Sequence, residues 1–194
     1  MRSLGCILLL AMLLACSPAA RRQGGVLAAP DSLLLKAEQG DAKAQLRLGM
    51  FYDKEQHFEE AAQWYLLAAR QGEAWAQNNL GVLYKDGLGV SQNYAEAAHW
   101  LTLAAEQGNT LAQNNLGWLY QNGLGVRRDY AEAQRLYRLA VAKGHAAAQN
   151  NLGTLFLHGM SLPCDTDSAR YWFTQAARQG LSTARQNLLR LERK

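Results

Sequence analysis

The sequence predicts an all-α protein, a right-handed solenoid built from helix–turn–helix repeats. The first observation is the string Ala-Gln-Asn-Asn-Leu-Gly, which begins at Ala76 and returns twice, 36 residues later each time. The second is a set of glycines that follow Gln or Lys at nearly the same spacing: Gly40, Gly72, Gly108, Gly144 and Gly180. Self-similarity at this period is typical of solenoids, whose units cannot bury their apolar faces alone.

Each unit contains two helical patterns joined by a turn. In the first pattern, apolar and small residues recur at helical spacing from Ala76 to Tyr84, and Gly87 can take the left-handed conformation that ends a helix. The second pattern begins at Asn93, which forms a capping box with Glu96. The predicted repeat domain covers residues 31–194, with repeats at 41–72, 73–108, 109–144 and 145–180.

The two ends of the array differ from its middle. The first unit is four residues shorter than the others and lacks the Gly-Leu-Gly-Val found at Gly87–Val90 and Gly123–Val126. Residues 32–40 have the pattern of a lone second helix, and residues 181–194 have that of a lone first helix. We expect both to act as caps, because a solenoid needs terminal units with a polar outer face.

The unit pattern also resembles a known family. It reads A-x-x-N-L-G-x-x-Y-x-x-G-x-G-V-x-x-D-Y-x-x-A-x-x-W-x-x-x-A-x-x-G over residues 41–180, and the two middle units follow it almost position for position. This pattern is similar to the Sel1-like repeat, a 36-residue relative of the tetratricopeptide repeat. The last unit departs from it at 158–164, where the second glycine is replaced. The resemblance implies a helical scaffold with a concave groove.

The first residues predict export. Arg2 precedes an apolar run from Leu4 to Ala15, and small residues follow, which is the organisation of a secretory signal over residues 1–15. The run is too short for a helix that crosses a membrane, which needs about 20 apolar residues. Residues 16–30 have no periodicity and are predicted to form a linker.

The end of this signal resembles a bacterial lipobox. Leu13-Leu14-Ala15-Cys16 matches that pattern except at Leu14, where the family more often has a small or β-branched residue. The resemblance implies that Cys16 is lipidated and becomes the mature N-terminus, and Ser17 after it implies the outer membrane. Ordinary cleavage near Ala19 or Ala20 is the alternative. In either case we expect an exported, periplasmic protein.

Cysteine content and charge narrow the function further. After loss of the signal, Cys164 is the only thiol left to the folded part, so no intrachain disulfide is expected. The chain has 20 basic and 16 acidic residues, a net charge of +4, and the basic residues are scattered. A scattered, mild excess does not form the basic stripe that neutralises phosphates, which excludes nucleic acid as the expected partner.

No motif in the sequence predicts catalysis, a cofactor or a metal. Gly87 and Gly89 lie in a turn that recurs in each full repeat and lack the third glycine of a dinucleotide-binding loop. The histidines have no metal-ligand spacing, and nothing marks a third group that would orient a pair formed by Cys164 and His158. The rival hypothesis is a weak hydrolase or penicillin-binding activity, as described for cysteine-rich Sel1-like proteins. Their signature is a disulfide in each repeat, which this chain lacks.

The aromatic residues separate core from candidate surface. Trp64, Trp100 and Trp172 follow the period on the second helix, which predicts that they pack in the core. Trp75 and Trp118 do not follow the period and are better candidates for contact with a ligand. The resemblance places their face of the first helix in the concave groove. The predicted protein-binding residues are Met50, Trp75, Asn78, Val82, Lys85, Leu111, Asn114, Trp118, Gln121, Asn150 and His158.

The paired asparagines divide between two interpretations. The second of each pair, at Asn79, Asn115 and Asn151, is expected to bond neighbouring backbone or the adjacent helix. The first, at Asn78 and its two repeats, falls on the predicted groove face, where a side-chain amide could match one peptide unit of a bound segment. The alternative is that these first asparagines are merely solvated polar positions.

The sequence therefore predicts a non-enzymatic scaffold of the bacterial cell envelope that binds a protein or extended peptide. By resemblance, small envelope lipoproteins with such repeats are assembly adaptors or immunity proteins that neutralise a periplasmic toxin. The residues do not distinguish these two roles, nor do they identify the partner or the oligomeric state.

Overall fold

The computed structural model of the protein describes residues 31–160 and 163–192, and these residues form ten α-helices and no strand. The predicted signal at 1–15, Cys16 and the linker at 16–30 lie outside the described residues. The helices are α1 (Asp31–Glu38), α2 (Ala42–Lys54), α3 (Phe58–Arg70), α4 (Ala74–Asp86), α5 (Tyr94–Glu106), α6 (Thr110–Asn122), α7 (Tyr130–Ala142), α8 (Ala146–His158), α9 (Thr166–Arg178) and α10 (Ser182–Glu192).

The helices are arranged as a linear array of antiparallel pairs. The pairs are α2–α3, α4–α5, α6–α7 and α8–α9, and each helix also contacts the next helix along the chain. The half-units α1 and α10 pack on the two ends of this array. Because contacts are confined to neighbouring units, the predicted all-α solenoid of helix–turn–helix repeats is confirmed.

The helix ends follow the signals that the sequence carries. The Asn93 side chain accepts hydrogen bonds from the backbone N–H of Ala95 at 3.0 Å and of Glu96 at 3.2 Å, which caps α5. Asp129 caps α7 in the same way by accepting from the N–H of Glu132. At the other end of α4, Gly87 has φ of 69°, the left-handed conformation that was expected to end the helix.

The core depends on a very close approach of the two helices within each repeat. A Cβ atom added at Gly117 of α6 would lie 2.7 Å from Cε1 of Tyr137 on α7. The same position in the repeat before is Gly81, where a Cβ atom would lie 2.7 Å from Cγ of Leu101. A side chain at either position would displace a large, fully buried neighbour, so glycine is required there by packing.

The second glycine of the connecting turn has a different role, since it seats each repeat on the previous one. A Cβ atom at Gly89 would lie 2.1 Å from the carbonyl carbon of Phe58, at the start of α3. A Cβ atom at Gly125 would likewise lie 2.1 Å from the carbonyl oxygen of Tyr94, at the start of α5. The turn at Gly87–Val90 is therefore a helix–helix connection, as predicted. In the shorter first unit, Gln56 has a positive φ of 62° instead.

Of the three periodic tryptophans, only Trp64 is buried. Trp64 is 2% exposed and packs with Ala37 and Leu48, because α1 covers it. Trp100 and Trp172 are half-buried and pack against the core from its edge, so the prediction that all three tryptophans are core residues is wrong for these two. The indole of Trp100 borders an open cavity of about 580 Å³.

In the described ranges, no helix combines the length and the apolar character that crossing a membrane requires.

Candidate functional site

The first helices of neighbouring repeats lie side by side along one side of the solenoid. α2 contacts α4, α4 contacts α6 and α6 contacts α8, whereas the second helices of neighbouring repeats have fewer mutual contacts. A solenoid curves toward the side on which its units lie closer together, so the first helices line its concave side. We call the solvent-facing side of α2, α4, α6, α8 and the capping helix α10 the inner face.

Four large hydrophobic side chains are exposed on the inner face. Met50 is 52% exposed, Trp75 is 55%, Leu111 is 39% and Trp118 is 37%. They come from three consecutive first helices, and Val82 of α4 is half-buried on the same face. Contiguous exposed hydrophobic side chains on a soluble surface commonly mark a binding site, in contrast to single scattered ones.

Lys85 and Trp118 connect two repeats across this face. The Nζ atom of Lys85 lies 5.5 Å from the centroid of the Trp118 ring, which is a cation–π distance. The same ammonium lies 3.1 Å from Oδ1 of Asp86, so its charge is compensated. The contact fixes the indole against one neighbour while more than a third of Trp118 remains accessible.

The position of Lys85 is used differently in the neighbouring repeats. Tyr65 donates from its hydroxyl to Oδ2 of Asp53 at 3.1 Å, and Tyr137 donates to Oε1 of Gln121 at 2.8 Å. Burial raises the pKa of both tyrosines, and for Tyr65 the carboxylate of Asp53 raises it further, so both hydroxyls stay protonated and act as donors. Gln121 is therefore partly engaged by the fold. Lys85 faces no tyrosine, because Leu101 occupies that place.

The paired asparagines form bonds between repeats. The second asparagine of one repeat donates from Nδ2 to Oδ1 of the first asparagine of the repeat before it. These bonds are Asn115 to Asn78 at 3.3 Å, Asn151 to Asn114 at 3.0 Å, and Asn187 of the capping helix to Asn150 at 2.9 Å. The structural role predicted for Asn115 and Asn151 is confirmed. Asn79 has no asparagine before it, because Leu46 holds the equivalent place.

This arrangement corrects the interpretation of the first asparagines. Asn78 is only 3% exposed, accepts from Asn115 and donates to Oδ1 of Asn79 at 3.0 Å. It is neither a free groove amide nor a solvated position, because the first helices lie close enough for amides 37 residues apart to bond. Asn114 and Asn150 are half-buried with Oδ1 engaged, while their Nδ2 atoms have no partner within residues 31–160 and 163–192. Their role in binding stays a prediction.

A second set of polar contacts, built on glutamines, was missed from the sequence. The glutamine of the repeated string is buried, and in α2, α4 and α6 its Nε2 donates to a carbonyl at the end of the preceding second helix. A further glutamine follows the second helix of the same repeat and donates to the Oε1 atom of this buried glutamine. Gln107, for example, donates from Nε2 to Oε1 of Gln77 at 2.8 Å. The signal was present: a polar residue recurs at a buried helical phase, where it requires a partner.

The third repeat breaks this pattern. Lys143 stands where the other repeats have glutamine, and its Nζ donates to the carbonyl of Gly108 at 2.6 Å. The Oε1 atom of Gln113 is consequently buried without a hydrogen-bond partner. A buried acceptor left unsatisfied costs about 1–3 kcal/mol, so this site is a local weakness in the array.

The remaining predicted residues do not assemble a reactive centre. His158 is exposed at the end of α8, and the exposed Cys164 donates from Sγ to the carbonyl of Leu157 at 3.1 Å. In the described part of the chain, no group of three or more His, Cys, Asp or Glu residues could hold a metal ion.

The solved structures that are similar to this chain over most of its length include two that are more than 30% identical to it. One is the crystal structure of c5321, a protective antigen present in uropathogenic Escherichia coli strains that displays an SLR fold. It is 38% identical with a TM-score of 0.74 and covers 81% of this chain and 35% of that protein. The other is a Sel1 repeat protein from Oxalobacter formigenes, 35% identical with a TM-score of 0.73, covering 84% of this chain and 64% of that protein. The chain thus spans 35% and 64% of the lengths of these two relatives. No curated protein matches the chain significantly.

The family model of the Sel1 repeat matches four times, at residues 42–73, 76–109, 110–145 and 146–181. Sel1 repeats are typically non-catalytic scaffolds that generally mediate interactions between proteins. With four matched repeats and an all-helical solenoid, this chain belongs to the Sel1 repeat family.

Proposed function

We propose that this protein is a non-enzymatic scaffold of the bacterial cell envelope, and that its inner face holds an extended segment of another protein. The observation that carries the proposal is the set of exposed hydrophobic side chains Met50, Trp75, Leu111 and Trp118 on neighbouring first helices. Binding energy at protein interfaces concentrates in a few aromatic and large apolar anchors, and two of these four are tryptophans.

The spacing of the first helices suits an extended segment. Packed helices lie about 10 Å apart, and an extended chain rises about 3.3 Å per residue, so every third residue of the segment would meet a new repeat. The free Nδ2 donors of Asn114 and Asn150 suit the carbonyl oxygens that such a segment presents along its length.

The test compares two exposed aromatic residues. Trp118→Ala removes an anchor from the inner face, and Tyr171→Ala removes a side chain that is 55% exposed on the second helix α9. We expect a partner captured by the wild-type protein and identified by mass spectrometry to bind Trp118→Ala at least about tenfold more weakly, measured by calorimetry. Tyr171→Ala should bind as the wild-type protein does. Equal loss in both variants, or in neither, would contradict the proposal.

Asn114→Ala is a poor probe of binding, although the sequence alone suggests it. Its Oδ1 accepts from Asn151, so the substitution also removes a bond between repeats. The ring of Trp118 contacts Lys85 on the surface, so the substitution Trp118→Ala leaves the hydrogen bonds between the asparagines intact. A change in affinity in Trp118→Ala is therefore easier to assign.

The envelope location rests on the sequence of residues 1–30. The proposed lipid on Cys16 would tether the scaffold to the outer membrane, with residues 16–30 as a spacer. Cys16→Ser should release the protein into the soluble periplasmic fraction, and the mass of the mature N-terminus should lose the lipid. If the wild-type protein is itself soluble and begins near residue 20, it is secreted by ordinary cleavage.

The partner's behaviour would distinguish the two envelope roles. An immunity protein abolishes the activity of its toxin when the two are mixed in equal amounts. An assembly adaptor leaves its partner active and binds a second protein at the same time. A titration of partner activity against added scaffold, followed by gel filtration of the mixture, separates these outcomes.

A further inference from the structure

The charges on the inner face indicate the composition of the bound segment. Resting on the proposed function, we infer that the segment comes from another protein, is about 12 residues long, and is acidic at both ends with apolar or aromatic residues between them. Such a segment matches the distribution of charge and exposed hydrophobic surface along the first helices.

The N-terminal end of the inner face carries unpaired cations. Lys43, Arg47 and Lys54 of α2 are all exposed, and none forms an ion pair with another described residue. The nearby carboxylate of Asp53 is half-buried and accepts the hydroxyl of Tyr65, so it is partly withdrawn into the fold. An anion approaching this end meets three exposed positive side chains.

The C-terminal end has a cation in the same groove. Arg190 of α10 occupies the helical register that Val82 and Trp118 hold in the middle repeats, and it is exposed without an ion pair in the described residues. The middle differs, because Lys85 is compensated by Asp86. The five cations and two anions named here sum to a formal charge of +3, and the unpaired cations among them lie at the two ends of the inner face.

The span between the ends fixes the length of the segment. Five first helices, from α2 to α10, define four intervals of about 10 Å each, or about 40 Å in total. An extended chain covers that distance in roughly 12 residues. Three of the four exposed hydrophobic side chains, Trp75, Leu111 and Trp118, lie on α4 and α6, between the cations of α2 and Arg190 of α10, so the apolar part of the segment falls between its acidic ends.

Residues 1–30 and 193–194 of this chain lack the charge that would suit this face. Residues 1–30 contain no Asp or Glu and include the basic pair Arg21-Arg22, and the last two residues are Arg193-Lys194. A basic or neutral segment would not compensate the free cations. Charge complementarity therefore favours a segment of another protein.

The test is a selection from a displayed library of random 12-residue peptides on the immobilised wild-type protein. We expect the selected peptides to carry Asp or Glu at both ends and an aromatic residue in the middle. A synthetic peptide from this set should bind about tenfold more weakly to the double variant Arg47→Glu/Arg190→Glu, measured by fluorescence anisotropy. Its affinity should also fall when NaCl is raised from about 50 to about 500 mM.

The matched control is Arg138→Glu/Arg178→Glu, which reverses two exposed charges on second helices and should leave binding unchanged. Thermal unfolding of every variant establishes that each is folded. Selected peptides that need Trp118 but carry no acidic ends, or that bind the two double variants equally, would overturn the inference and leave the proposed function intact. Selected peptides indifferent to Trp118→Ala would instead overturn the proposed function.

Discussion

Asn151 of α8 donates a hydrogen bond of 3.0 Å to Oδ1 of Asn114 on α6, one repeat before it. Equivalent bonds join Asn115 to Asn78 and Asn187 to Asn150. The stability of a repeat protein is approximately the sum of the stabilities of its units and of the interfaces between neighbours. These amides belong to the interface part of that sum, on the same helices that present the inner face.

Asn151→Ala should lower the free energy of unfolding by about 1 kcal/mol, because Oδ1 of Asn114 loses its donor at a half-buried site. Urea unfolding followed by circular dichroism at 222 nm measures the change. The control is Asn122→Ala, since the exposed Asn122 bonds only to the carbonyl of Trp118 in its own helix. An equal effect in both variants would mean that the bond between repeats contributes nothing particular.

Lys143→Gln should stabilise the protein by about 1 kcal/mol. The new Nε2 donor would satisfy the buried Oε1 of Gln113, as Gln179 satisfies Gln149 at 2.9 Å in the next repeat. Differential scanning calorimetry should show a rise in melting temperature. Lys143→Met is the control, because it loses the contact with the Gly108 carbonyl without offering a donor. A melting temperature for Lys143→Gln no higher than for Lys143→Met would contradict the glutamine pattern.

The helices and their order were predictable because one period governs the whole chain. The capping side chain of Asn93 and the left-handed Gly87 mark the ends of two helices in the sequence and in the structure alike. Local signals of this kind act within a few residues, so they can be read without knowledge of the neighbouring repeats.

The candidate site was less predictable, because its polar residues depend on distances between repeats. Helical phase alone places Asn78 on the groove side, yet its neighbour 37 residues on lies within hydrogen-bond distance and buries it. The same limit applies to Gln113, whose Oε1 atom lacks a donor because position 143 holds Lys where the other repeats have Gln. The exposed tryptophans Trp75 and Trp118 were identifiable, since departure from the period is visible in the sequence itself.

Gly125→Ala should destabilise the protein by at least about 3 kcal/mol, the combined cost of a positive φ and severe overpacking. Its Cβ atom would lie 2.1 Å from the carbonyl oxygen of Tyr94 in the previous repeat, at a φ of +68°. Gly144→Ala has a similar φ of +80° and nothing within 4 Å, so it reports the conformational cost alone. Chemical denaturation of both variants gives the difference, which should exceed about 1 kcal/mol if contact between repeats is decisive.

The N-cap of α8 should make the stability of the protein depend on pH. His145 accepts the backbone N–H of Ala148 through Nδ1 at 3.2 Å, and burial lowers its pKa. The folded pKa is thus below the unfolded value of about 6.5, so the unfolded chain takes up the proton first as pH falls. Stability from this site is complete above about pH 6.5 and is lost as pH falls through the folded pKa. Protonated Nδ1 also cannot accept a hydrogen bond, so the cap opens.

His145→Asn should remove this dependence, because Asn109 caps α6 at the equivalent position by accepting from Ala112 at 3.0 Å. Urea unfolding of both proteins from pH 7.5 to pH 5 gives the difference in free energy of unfolding, in which all other titrating groups cancel. We expect the histidine protein to lose up to about 1 kcal/mol relative to the asparagine variant over that range, the usual worth of an N-cap. A difference that stays constant with pH would show that His145 remains neutral, or that its cap contributes nothing, and either result would refute the assignment.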